Sequence, residues 1–220
     1  MAKIDFAWGP FRSGDLPGLL GEVPPTPQPV LSSGQYVPME PEQLRWVVLG
    51  GKLFATVPIT AGKWNELNAH QLIAGTEICV DGLRFLVRLP VFGYDTDIFD
   101  LEWCGSCWVI DGRSPSNPVS FLLHDAGTGK YHLKWLPWAR EYSLPLYPVL
   151  EPILPAIEAL AGLHVSLMTP NGPAEARLLE VTTYDLALTD YEGPLSDEWG
   201  RTGVMTFLSR EAVVNIGLAK

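Results

Sequence analysis

The chain has 220 residues, of which 47% are apolar and 18% are charged, so it can bury a core and global disorder is excluded. Its formal net charge of −10 offers no basic footprint for binding phosphates and favours a solvated acidic surface or a basic partner. No segment has the pattern of a signal peptide or a membrane span, so we expect a cytoplasmic protein, with a virion-associated location left open and no role for a membrane.

The first segment, residues 1–43, contains the proline-rich stretch EVPPTPQPV, which predicts an extended arm. Apolar residues such as Phe6 and Trp8 flank this stretch, although a free linker would not need them. We therefore expect the arm to lie on the body of the protein or on a neighbouring subunit.

Residues 44–149 follow as a β-rich domain. Residues 44–57 have the pattern of two strands, and Asp81-Gly82 predicts a tight turn between the strands EICV and LRFLVRL. Thr60 resembles an N-cap and predicts a short helix over residues 61–69.

Further along, residues 119–124 and 130–135 predict another hairpin. Residues 150–220 then form a third segment with its own pattern. Residues 153–163 predict a short amphipathic helix, and strand-like stretches follow it around a polar loop at residues 190–201.

The pair Cys104 and Cys107 has the spacing of a zinc knuckle, but the sequence has no second pair at suitable spacing. The flanking residues Trp103 and Trp108 have the character of core residues, which favours two thiols packed in a strand. We therefore expect neither a metal nor any other cofactor.

An acidic cluster contains Asp95, Asp97 and Asp100. A solvated loop explains it best, although such carboxylates could hold a cation or serve a hydrolase together with His124. The sequence has no GxSxG motif or other nucleophile motif, so we expect a protein that is not an enzyme and keep the hydrolase as an alternative.

Aromatic residues concentrate between residues 103 and 147. A β-domain core explains most of them, but Pro137 breaks the strand pattern beside Trp135 and Trp138. Together with Tyr131, these two tryptophans are candidate ligand-binding residues, because exposed aromatic rings stack on sugars or bases.

The third segment resembles an Sm/Hfq-like barrel. The resemblance rests on LHVSLMTPNG ending at Gly172, on ARLLE from Ala176, on Asp185, and on the closing stretch VMTFLSREAVVNI. It implies a small β-barrel with edge strands that pair into rings. The RNA-binding function does not carry over, because Arg210 is the one basic residue of the last turn and Glu211 opposes it.

The middle segment resembles a group of Firmicute and phage-associated C-type-lectin-like proteins of unknown role. The matching blocks are WNEL at residues 64–67, VRLP at residues 87–90 and YPVLE at residues 147–151. The resemblance implies a phage or prophage setting and carries no catalytic activity.

We therefore expect a mainly β or α+β chain with an arm (1–43), a C-type-lectin-like domain (44–149) and an Sm-like barrel (150–220). The predicted function is non-enzymatic binding or assembly, by self-association through barrel edge strands or by binding a protein partner. The candidate interface residues are Val204, Phe207 and Val213. A nucleic-acid-binding Sm-like module, which the acidic net charge disfavours, and an acidic mimic of nucleic acid stay open as alternatives.

Overall fold

The computed structural model describes residues 5–12, 43–56, 58, 60–63, 75–92, 94–95, 107–110, 119–125, 130–134, 144–194, 200–202 and 204–219. Most of these residues lie in strands, which confirms the expected mainly β class. In chain order the strands are β1 (Asp5–Arg12), β2 (Gln43–Leu49), β3 (Lys52–Ala55), β4 (Thr60–Gly62), β5 (Thr76–Val80), β6 (Leu83–Arg88), β7 (Cys107–Ile110), β8 (Val119–Asp125), β9 (Lys130–Lys134), β10 (Leu144–Leu146), β11 (Val149–Pro152), β12 (His164–Thr169), β13 (Gly172–Val181), β14 (Asp185–Glu192), β15 (Gly200–Thr202), β16 (Met205–Ser209) and β17 (Asn215–Leu218).

Two sheets of six strands dominate the described part of the chain. The first sheet has the spatial order β1-β2-β3-β11-β6-β5, and the second has the order β15-β16-β14-β13-β12-β17. Two smaller sheets pair β4 with β10 and β7 with β8 and β9. Neighbouring strands within these sheets run antiparallel, as short connections and abundant turn residues favour.

The predicted hairpins are confirmed. β2 pairs with β3, β5 pairs with β6, and β8 pairs with β9. Both residues of the turn between β5 and β6 have positive φ, 51° at Asp81 and 80° at Gly82. An Asp-Gly pair adopts this left-handed conformation readily, and its twist matches that of the flanking strands.

Apolar side chains fill three layers around the two sheets. The central layer combines Trp46 and Phe85 of the first sheet with Met168 and Val214 of the C-terminal part, so the two sheets pack against each other. Phe6 of β1 also packs against this layer. The outer layers cover the far face of each sheet.

The strand β13 shows how the sequence pattern selects these faces. Ala174, Ala176 and Leu178 are buried in the outer layer of the second sheet, while Glu175 and Arg177 between them are exposed. Successive side chains of a strand point to opposite faces, so this alternation fixes which face of β13 meets the core.

The helix predicted over residues 61–69 is wrong at residues 61–63, and residues 64–69 lie outside the described ranges. Residues 60–62 form β4, which pairs with β10 through the register Thr60↔Leu146. Pairing with a strand distant in sequence thus overrides the local capping signal.

The helix predicted over residues 153–163 is reduced to the 3₁₀ helix Ile157–Leu160. Residues on both sides of this helix form backbone hydrogen bonds to strands. The N–H of Ile153 donates to the carbonyl of Arg84, and the N–H of Gly162 donates to the carbonyl of Leu178. These bonds leave room for a single turn.

The predicted boundary at residue 150 falls inside a strand. β11 (Val149–Pro152) pairs with both β3 and β6 in the middle of the first sheet. The division into three segments stays a prediction, and a boundary after Pro152 fits the strand better. Within the described ranges, no helix has the length and apolarity to cross a membrane.

Candidate functional site

The predicted ligand platform is described only in part. Tyr131 lies in β9, opposite His124 of β8, and the two residues are partners in the strand register. Trp135 and Trp138 lie outside the described residues, so the platform stays a prediction.

The predicted thiol pair is also described in part. Cys107 begins β7, Cys104 lies outside the described ranges, and Cys79 of β5 is an exposed free thiol. Among the described residues, no group of three or more His, Cys, Asp or Glu side chains is placed to hold a metal ion. Absence of a bound metal in the protein stays a prediction.

The acidic cluster leads to a different kind of site. Asp97 and Asp100 lie outside the described residues, but Asp95 is fully buried rather than solvated. Its carboxylate accepts hydrogen bonds from Arg88 Nη1 at 2.5 Å, from Lys52 Nζ at 3.0 Å and from the backbone N–H of Val91 at 2.7 Å. The expectation of a solvated loop is therefore wrong at Asp95.

Glu151 completes this buried ion network. Its carboxylate accepts a hydrogen bond from Arg88 Nε at 2.8 Å and lies 4.0 Å from Lys52 Nζ. Arg88 also donates to the carbonyl of Leu89, and the ring of Tyr94 lies 4.1 Å from Lys52 Nζ, close enough for a cation–π contact. Two cations thus meet two carboxylates where β3, β6 and β11 adjoin.

The network keeps Asp95 and Arg88 charged. Burial alone would raise the pKa of Asp95, but the hydrogen bonds from Arg88, Val91 and Lys52 outweigh burial and hold that pKa below its ordinary value. Burial would likewise lower the pKa of Arg88, and its bonds to Asp95 and Glu151 raise that pKa instead. Because the carboxylate of Asp95 is ionised and its oxygens already accept hydrogen bonds, we infer that it stabilises the fold and does not act as a catalytic acid or base.

Sequence reasoning missed Lys52 and Glu151 as members of a site. A signal was present, because Lys52 begins the apolar strand KLFA and Arg88 ends LRFLVR. Lys and Arg are seldom buried without a partner, so a charged residue at the end of a largely apolar strand calls for a carboxylate nearby.

Two of the three predicted interface residues lie at or beside β16 of the second sheet, and the third, Val213, lies just before β17. Val204, just before β16, is 85% exposed, and Phe207 within β16 is 37% exposed. Val213 packs against the outer apolar layer of the second sheet. Two of the three residues thus present apolar surface beside the edge strand β15, and the third contributes to the core.

Comparison of the chain with protein-family models, curated proteins and solved structures found no match. The resemblances to Sm/Hfq-like barrels and to C-type-lectin-like proteins therefore rest on the sequence blocks that suggested them.

Proposed function

We propose that this chain is a non-enzymatic assembly protein that associates with copies of itself through the edge strands of its second sheet. The observation that carries the proposal is the pair of apolar side chains, Val204 and Phe207, exposed beside the three-residue edge strand β15. Isolated exposed apolar residues are common on proteins, but here they adjoin a row of backbone groups suited to pairing.

The two edges of the second sheet differ from each other. β15 pairs with β16 on its inner side, while β17 pairs with β12 at the opposite edge and carries Leu218, which is 52% exposed. Pairing of one edge with the other edge of a neighbouring copy is heterologous, and it closes into a ring when the rotation between copies allows.

The order of local elements supports an Sm-like barrel for this part of the chain. A short 3₁₀ helix precedes β12, Asn171-Gly172 links β12 to the ten-residue strand β13, and β14 begins at Asp185. β13 carries two irregularities in its pairing with β14, as a bent strand would. A C-type-lectin-like character for the first sheet is proposed on the sequence blocks alone.

Charge favours assembly over nucleic-acid binding. Arg210 donates to Glu158 at 3.1 Å and to the carbonyl of Thr182, and Arg84 donates to Glu77. Both arginines therefore lie beside a carboxylate, which opposes binding of a phosphate. Like charge between copies opposes association, and salt screens that repulsion, so assembly should strengthen as salt rises, whereas binding to nucleic acid weakens.

Replacing both Val204 and Phe207 with Glu should therefore shift the protein to monomers. The change removes apolar contact area and places two charges at the edge, where a neighbouring strand would have to bury them. Sedimentation velocity over a range of protein concentrations, at low and at high salt, gives the mass of the assembly.

Leu154→Glu supplies the control, since Leu154 is 53% exposed and follows β11 of the first sheet rather than an edge strand of the second. The control should assemble like the unaltered chain. A monomer at every concentration and salt tested, or equal loss of assembly in the control, would count against the proposal.

A further inference from the structure

A cleft of about 290 Å³ opens where the turn between β5 and β6 meets the face of the second sheet. Asp81 and Leu83 line it from the first sheet, and Ser166, Pro173, Glu175 and Glu192 line it from the second. Asp81, Glu175 and Glu192 are exposed at its rim, whereas Ser166 is 3% exposed. The volume suits a small molecule or one long side chain.

A polar row crosses three strands of the second sheet at this cleft. Ser166 of β12 is the register partner of Glu175 of β13, and Glu175 is the register partner of Glu192 of β14. Register partners point to the same face of a sheet, and like charges directly opposite each other destabilise it. Among the residues that the structure describes, neither glutamate carboxylate has a hydrogen bond or an ion pair.

Ser166 gives an independent sign that the cleft receives a ligand. Its hydroxyl is buried and has no hydrogen-bond partner among the described residues. A buried hydroxyl without a partner costs free energy, and native proteins seldom leave one unsatisfied. Because Ser166 lines the same cleft as the two glutamates, one ligand can satisfy all three groups.

We propose that this cleft binds the primary ammonium group of an aliphatic amine. An ammonium group has three N–H donors and a positive charge, which match the hydroxyl of Ser166 and the carboxylates of Glu175 and Glu192. Asp81 adds negative charge from the opposite wall, and Leu83 and Pro173 offer apolar surface to an alkyl chain. A metal ion fits less well, since the described acidic groups are not clustered for one.

Such an amine could be a free polyamine or a lysine side chain of a partner protein, and two ligands distinguish these sources. Calorimetric titration of the full-length protein with 1,5-diaminopentane represents the free amine, and Nα-acetyl-lysine methylamide represents the side chain. Binding of either ligand with a Kd of about 1 mM or tighter supports the site, and the tighter of the two identifies the source. Choline, which lacks N–H donors, should bind at least about tenfold more weakly.

Single substitutions of the residues that line the cleft test whether the amine binds there. Glu175→Gln and Glu192→Gln should each weaken binding about three- to tenfold, and Ser166→Ala should weaken it about threefold. Glu180→Gln is the matched control, because it removes the same charge from an exposed position of β13 outside the cleft. No binding of either amine, equal binding of choline, or an equal loss with Glu180→Gln would overturn the proposal.

Discussion

Replacing Asp95 with Asn is expected to lower the free energy of unfolding by about 3–5 kcal/mol, because removing one partner from a buried ion pair leaves an uncompensated buried charge. Arg88 and Lys52 are both less than a tenth exposed, and Asp95 holds them together. After the substitution, Glu151 alone would face both cations. Urea-induced unfolding, followed by circular dichroism, measures the loss.

Glu151→Gln is the control for this experiment, since it removes a carboxylate from the same network at a site whose side chain is 42% exposed. Water screens that side chain, so we expect a loss of about 1 kcal/mol or less. Similar losses for the two variants would contradict the central role of Asp95, as would an Asp95→Asn variant as stable as the unaltered chain.

The same network predicts how stability depends on pH. The pKa of Asp95 in the folded chain lies below its ordinary value of 3.8. Its ionised form therefore stabilises the fold fully above that ordinary value, and this contribution is lost as the pH falls through the folded pKa. The stability difference between the unaltered chain and Asp95→Asn should accordingly shrink in acid below pH 3.8.

Local features of the sequence were sufficient to predict the hairpins. The left-handed conformation at Asp81-Gly82 is a property of two adjacent residues, and the alternation along β13 is a property of ten. Both signals depend on residues within one or two strands, so they can be recognised in the sequence without knowledge of the whole fold. The prediction of a helix after Thr60 failed because residues 60–62 pair with β10, a strand that is far away in sequence.

The candidate sites could be predicted much less well. Lys52 and Asp95 are 43 residues apart, and Arg88 and Glu151 are 63 apart, so their contacts depend on the order of strands in the first sheet. The cleft depends further on how the two sheets pack, since Asp81 reaches it from a different sheet. The hydrophobic periodicity of the sequence does not show which strands from different sheets lie close together.

The backbones of the two sheets touch where the sheets meet. A substitution at this contact is expected to cause the second large loss of stability. Gly217 of β17 faces the carbonyl oxygen of Gly82, and a Cβ atom added at Gly217 would overlap that oxygen. Nearby, Asn215 Nδ2 donates to the carbonyl of Arg84 at 2.7 Å. Glycine at position 217 is thus required by the close approach of the two sheets.

Gly217→Ala is expected to lower the free energy of unfolding by about 2–3 kcal/mol, because the methyl group forces two backbones apart and no side chain can rotate to relieve the overlap. Separation would weaken the bond between Asn215 and Arg84 and loosen Met168 in the central apolar layer. Hydrogen exchange should accordingly quicken in β6 and β17, which adjoin this contact.

Gly162→Ala separates this overlap from the general cost of adding a methyl group to glycine. Gly162 has a φ of 84°, which disfavours alanine, but an added Cβ atom there would meet no other atom within 4 Å. We expect a loss of about 1 kcal/mol for this control, with unchanged exchange in β6 and β17. If the Gly217→Ala variant is as stable as the Gly162→Ala variant, or more stable, the close backbone contact between Gly82 and Gly217 is contradicted.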